Sequence, residues 1–182
     1  KQALKELQNV NGITPTAAVV DAPPAAQRPD ANKGSYSAVL DWPAFDAMLA
    51  ELEEAELVCF DTETNSLDAM QAHLVGLSFA VQEESAWYIP LGHDYPGAPL
   101  QLPLTEVLAK LKPLLQNPQS KKCAQNGKYD LHVLNRYAIA VQGLSEDTML
   151  ASFVLNAGRA RHDMDSMAEN YLGYKTIAYS DV

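Results

Sequence analysis

The stretch that decides the fold is LVCFDTETNSL, Leu57 to Leu67. Its apolar opening, Leu57-Val58-Cys59-Phe60, has the length and composition of a buried strand. The run then ends in Asp61-Thr62-Glu63, two carboxylates separated by one residue. Side chains two apart on a strand point the same way, so Asp61 and Glu63 are expected on one face at a strand end. Like charges held that close are costly unless a cation lies between them, and hard oxygen donors favour Mg²⁺ or Mn²⁺. Two solvated acids at a strand end are the other reading of Asp-x-Glu alone.

Further along, QNGKYD places Asn126, Tyr129 and Asp130 where a strand-like stretch runs into a helix. Asn126 is expected to cap that helix, with Tyr129 and Asp130 in its first turns. By itself this patch has a structural reading too. An acid near a helix N-terminus is favoured by the dipole, and a tyrosine can be plain core.

Around these two patches the chain reads as α/β. YSAVL (36–40) is a short strand, and DWPAFDAMLAELEEAE is a helix capped by Asp41, with Pro43 tolerated in its first turn. Phe45, Met48, Leu49 and Leu52 fall on one helical face. LVGLSFAVQ and AWYIPL are two more strands, followed by a Pro- and Gly-rich loop and a helix from Thr105 to the Asn117-Pro118 stop. KKCAQN is a strand and KYDLHVLNRYAI a helix. VQGLSED is a connection, TMLASFVLN a helix, and DSMAENYLG a last helix with Ser166 and Glu169 as a capping box and Gly173 as its stop. Early strands followed by helices with a strand between them predict a mixed sheet flanked by helices.

With 182 residues, 47% hydrophobic and 20% charged, the chain has room for one domain with a real core. Residues 1–34, rich in Pro, Ala and Asp, read as a linker, and the domain as 35–182. The opening KQALKELQNV resembles the last turns of a helix from an upstream domain, and Lys1 in place of Met suggests a piece of a longer chain. No apolar run reaches the roughly 20 residues that span a bilayer. Cys59 and Cys123 match no metal-ligand spacing and read as small buried hydrophobes, consistent with a reducing cytoplasm. The four histidines, His73, His93, His132 and His162, are scattered and read as surface or capping residues. A formal charge of −10 argues against direct phosphate binding, unless divalent cations stand between protein and phosphate.

Taken together and in order, FDTETNSL, QNGKYDLHVL, EDTMLASFVLN and RHDMDSMAENYLG resemble the 3′→5′ proofreading exonuclease domain of the bacterial family A DNA polymerases. The resemblance runs from about Tyr36 to the last residue. It implies an RNase H-like fold and two-metal hydrolysis of the 3′-terminal phosphodiester of single-stranded or frayed DNA. Asp61 would bridge two Mg²⁺ or Mn²⁺ ions, Glu63 would ligate one and orient the attacking water, and Asp130 would hold the other directly or through water. Tyr129 would position the nucleophile. Leu67, Gln125, Asn126 and Lys128 would contact or wedge the terminal nucleotides, with Arg161 as a phosphate contact. The resemblance also implies polymerase and 5′-nuclease domains in the same chain, a monomer, and a bacterial, nucleoid-associated, cytoplasmic location.

One feature departs from the family. Its third motif, a Tyr followed four positions later by an Asp, does not occur before the chain ends in GYKTIAYSDV. Asp147, Asp163 and Asp165 stand where helix caps belong and are poor substitutes. The expectation is therefore a domain incomplete at its C-terminus, with weak metal occupancy and little activity as a piece. A vestigial domain bracing a polymerase and a free-standing 3′ exonuclease acting on RNA or DNA are the alternatives.

Overall fold

The structure, a computed structural model, describes residues 34–158 and 161–176. The expected linker, Gly34 apart, lies outside the described residues. Among the described residues, six strands form one sheet: β1 (Ser35–Ala38), β2 (Leu57–Thr64), β3 (Leu74–Gln82), β4 (Ser85–Pro90), β5 (Lys121–Ala124) and β6 (Leu144–Asp147), in the order β1-β4-β3-β2-β5-β6. Strands β2, β3 and β4 run antiparallel, whereas β1 joins β4, β5 joins β2 and β6 joins β5 in parallel. The sheet is mixed, as expected.

The helices are α1 (Trp42–Glu54), α2 (Leu104–Leu115), α3 (Gly127–Arg136), α4 (Thr148–Asn156) and the short α5 (Met164–Met167), which continues into a π-type turn, Ala168–Leu172. The Asp41 carboxylate accepts from Ala44 N at 2.9 Å and starts α1 as expected. That helix buries Phe45, Met48 and Leu52. These residues share one core with Val58 and Phe60 of β2, Leu77 and Phe79 of β3, Ile89 of β4, Val107 and Leu111 of α2, and Val133 and Leu134 of α3. One face of the sheet is therefore sealed by α1, α2 and α3. On β2, Val58, Phe60 and Thr62 are buried, while Cys59 and Asp61 are half-buried and Glu63 is exposed.

Two local expectations are corrected. LSED, expected inside a connection, is the parallel strand β6. Its side chains are exposed or half-buried, so no apolar alternation announced it. The capping box expected at Ser166 and Glu169 is replaced by Asp163, whose Oδ1 accepts from Ser166 N at 3.0 Å and opens α5 earlier. Gly173, with φ of 64°, ends the segment as expected.

Candidate active site

Strand β2 leaves one of its neighbours early. It pairs with β5 only through Leu57, Val58 and Cys59, but stays paired with β3 as far as Thr64. Past Cys59 a gap opens between β2 and β5, at the carboxyl ends of both strands, where open α/β sheets place their ligand crevices. The chain leaving β5 enters this gap and begins α3 at Gly127. Asp130 is thereby carried to the free edge of β2. Its Oδ1 accepts from Thr62 N at 3.0 Å and from Thr62 Oγ1 at 2.6 Å. Thr62, between the two acids, thus serves as the fastener for the third. Only 1% of Asp130 is exposed.

Two of the carboxylates, Asp130 and Glu63, act on the third, Asp61. Asp61 is pushed up to about 7, first by its burial, then by the charge of Asp130 and then by that of Glu63, with a partial offset from the Thr62 backbone. Asp130 therefore bears on Asp61 more strongly than its neighbour Glu63 does. Burial also raises Asp130, against the lowering effect of the two Thr62 hydrogen bonds. Asp61 lines a cleft of about 310 Å³ beside Phe60, Phe79, Ala80, Ala86 and Met164, apolar neighbours that solvate a carboxylate poorly. Cys59 and Cys123 face each other across β2 and β5 as free thiols. Burial, with Cys59 alongside, pushes the Cys123 thiol up to about 12, so that it is no nucleophile at neutral pH.

Among the described residues, no three His, Cys, Asp or Glu side chains stand arranged as a finished metal cage. The Thr62 bonds account for this in part, since they hold Asp130 Oδ1 on the strand edge. The donor chemistry nonetheless fits a hard divalent cation. The donors are carboxylate oxygens, and each of the other two acids makes the charge on Asp61 costlier.

The remaining predicted site residues separate into groups. The Tyr129 hydroxyl donates to Ser66 O at 2.5 Å and shares a 2.5 Å hydrogen bond with Thr64 Oγ1, so it ties α3 to the end of β2. Next to this tie, Leu67 is 99% exposed. Gln125 Nε2 donates to His162 O at 2.9 Å, linking the crevice to the segment before α5. Lys128 is exposed. Arg161 pairs with Asp163 at 2.9 Å, beside the start of α5.

Asn126 does not cap α3 with its side chain; it stands in the left-handed region at φ of 60°. The Asp147 carboxylate takes over the role, accepting from Gly127 N at 2.9 Å and Asn126 N at 3.3 Å. It also accepts from Leu150 N at 3.1 Å, so one side chain caps α3 and α4 together. Asp147→Ala is expected to lower stability by about 2 kcal/mol, read as a fall in the urea midpoint at unchanged m-value.

Sequence reasoning missed Thr62 as the fastener of Asp130, Ser66 and Thr64 as partners of Tyr129, and a pair formed by Tyr88 and His93 at 2.6 Å. A signal existed for Thr62 alone. Its alternate position on β2 points it to the helix-covered face, where a hydroxyl needs a partner.

Comparison with known proteins gives the family and the fold. The family model described as 3′-5′ exonuclease matches residues 36–182. The DNA polymerase I of Pseudomonas aeruginosa is 51% identical over 159 residues, which make up 86% of this chain and 17% of the relative. The chain therefore spans about a sixth of that protein's length. Among solved structures, Escherichia coli RNase D, an exoribonuclease involved in structured RNA processing, superposes with a TM-score of 0.57 at 21% identity, covering 79% of this chain and 35% of that one. Brucella melitensis NrnC with bound Mg²⁺ gives a TM-score of 0.55 at 19% identity, covering 79% of this chain and 64% of that one. At these identities the two structures speak for the fold, which is RNase H-like. With four-fifths of its length inside the family model and half of its aligned residues shared with one relative, the chain belongs to the 3′-5′ exonuclease family.

Proposed function

We propose that the chain is the proofreading part of a longer DNA polymerase I. In that protein it hydrolyses the 3′-terminal phosphodiester of single-stranded or frayed DNA with the help of divalent metal ions. The observation that carries the reading is Asp61, whose carboxyl is pushed up to about 7 by burial and by two neighbouring acids. Such a group sheds its charge near neutral pH unless a cation compensates it, and a divalent metal ion supplies that compensation. Asp61, Glu63 and Asp130 would hold Mg²⁺ or Mn²⁺, two ions in the complete domain. Bound there, the ions would supply an activated water and would neutralise charge on the phosphoryl and departing oxygens.

The chain's own residues then divide the work. Asp61 and Glu63, on one face of β2, fix the donors. Thr62 holds Asp130 beside them. Tyr129, held at the crevice edge by Ser66 and Thr64, would position the nucleophile. Leu67, almost wholly exposed, supplies an apolar wedge against the terminal base. Gln125, Asn126 and Lys128 lie along or beside the turn entering α3 and would contact the last nucleotides, with Arg161 as a more distant phosphate contact. A charge of −10 leaves most of the DNA grip to the polymerase part of the longer chain, in a monomer working in the bacterial cytoplasm.

The full-length protein, given a 5′-labelled single strand and Mg²⁺, is expected to shorten it from the 3′ end one nucleoside monophosphate at a time. Chelation should stop the reaction. Internal cleavage, or shortening that survives chelation, contradicts the reading. Faster trimming of an RNA strand than of its DNA counterpart would favour the free-standing ribonuclease alternative.

A further inference from the structure

Glu63 is exposed and stands at a strand end, yet a metal ligand must be held in one rotamer. The cross-strand geometry shows what could hold it. Glu63 is paired with Gly76 of β3, just before the register shift that follows Glu63. Gly76 is in turn paired with Pro90 of β4, and Ser78 with Tyr88. The Tyr88 ring leans diagonally across to Gly76, and a methyl group built there would fall on the Tyr88 hydroxyl. That hydroxyl therefore fills the side-chain seat opposite Glu63. Directly opposed Cβ positions on antiparallel strands lie about 5 Å apart, within reach of a glutamate carboxylate. The charge of Glu63 bears on the Tyr88 phenol, one of the causes that push it up after burial.

Tyr88 is itself held. Its oxygen lies 2.6 Å from His93 Nε2. The His93 backbone is clamped on both sides by Gln101, with N donating to Oε1 at 2.9 Å and O accepting from Nε2 at 2.7 Å. The imidazole makes T-shaped contacts with the rings of Tyr88 and Tyr95. A phenol has a single hydrogen to donate. If that hydrogen goes to His93, none faces Glu63; if His93 carries its proton on Nε2 and donates, the phenol hydrogen is free for the carboxylate.

We propose that Tyr88 and His93 are positioning residues for the metal site: His93 Nε2–H donates to the Tyr88 oxygen, and the Tyr88 hydroxyl donates to the Glu63 carboxylate, fixing its rotamer before a cation binds. The proposal rests on the reading of Glu63 as a metal ligand. Gly76 belongs to the same device, because any larger residue there evicts the phenol.

The test uses the full-length protein and its Asp61→Ala, Tyr88→Phe, His93→Ala and His93→Gln variants. Mn²⁺ binding is measured by calorimetry without substrate, and kcat and KM are measured on a single-stranded oligonucleotide. Tyr88→Phe and His93→Ala are expected to weaken Mn²⁺ binding and lower kcat by about tenfold each, with KM nearly unchanged. His93→Gln, whose amide N–H can replace Nε2–H, should recover most of both. Parental Mn²⁺ affinity and kcat in Tyr88→Phe, beside an inactive Asp61→Ala, overturn the proposal alone. So does a His93→Gln variant as impaired as His93→Ala, which marks a merely structural histidine. Full activity and Mn²⁺ binding in Asp61→Ala would remove the metal reading and this proposal with it.

Discussion

Asp61→Ala is expected to abolish 3′→5′ hydrolysis by the full-length protein, lowering turnover by more than about a thousandfold, and to leave the fold intact. The two halves of this expectation come from the same observation. Asp61 is the carboxylate on which burial, Asp130 and Glu63 all press, so it is the group whose charge most requires a cation. Its removal takes away the ligand expected to bridge two ions, and no neighbouring acid can take its place. Thr62 pins one Asp130 oxygen to the strand edge, and Glu63 projects from the strand end. For the unfilled site, however, losing Asp61 relieves repulsion, and nothing in the core is disturbed. The variant should keep its far-UV circular dichroism and melt no lower than the parent in chelator. Normal 3′→5′ degradation by Asp61→Ala would show the catalytic assignment to be wrong.

The second large effect is on stability against pH. With chelator present, stability is expected to fall as pH rises from about 4 to about 7, then level off. The sign follows from linkage. In the unfolded chain Asp61 loses its proton near its ordinary value of about 4, whereas the folded chain holds it up to about 7. Between these limits the folded state binds more protons, so each unit of rising pH favours unfolding. At 1.36 kcal/mol per unit, the window corresponds to about 4 kcal/mol at most, and Asp130, also raised by burial, contributes with the same sign. Mg²⁺ or Mn²⁺ should restore the lost stability at and above pH 7 by taking the place of the proton. Asp61→Asn should remove Asp61's share of the slope, because the amide has no proton to release in this range, and leave only the part due to Asp130. Urea midpoints at pH 5 and pH 8, with and without metal, measure all of this. A flat profile for the parent in chelator, or equal metal stabilisation in Asp61→Asn, contradicts the account.

Much of this was legible because local chemistry and long-range packing agreed. The Leu57–Phe60 run, the largely apolar stretch from Leu74 to Val81 and the Asp41 cap each specify their element without reference to neighbours. Period-two geometry alone placed Asp61 and Glu63 on one face. Strand β6 was hidden because its exposed side chains leave no pattern, its place being set by pairing with β5. The Ser166–Glu169 box failed because Asp163 and Ser166 have the same spacing, and the earlier acid captured the amide. Asn126 failed as a cap because Asp147, distant in sequence but adjacent in space, supplies a carboxylate to the same amides.

The approach of Asp130 to Asp61 could not be read from spacing. It arises where β2 and β5 part, a property of register, and only the family resemblance anticipated it. The Tyr88–His93 pair was less visible still, since it depends on a side chain that Gly76 lacks.

The central claim is that Asp61, Glu63 and Asp130 share responsibility for one cationic site. Anomalous scattering from Mn²⁺ in crystals of the full-length protein locates such a cation directly. A peak within about 2.5 Å of an Asp61 oxygen, with Glu63 or Asp130 bound to the same ion or to its waters, is the predicted result. An empty crevice at saturating Mn²⁺, or a lysine ammonium between the three carboxylates, contradicts it.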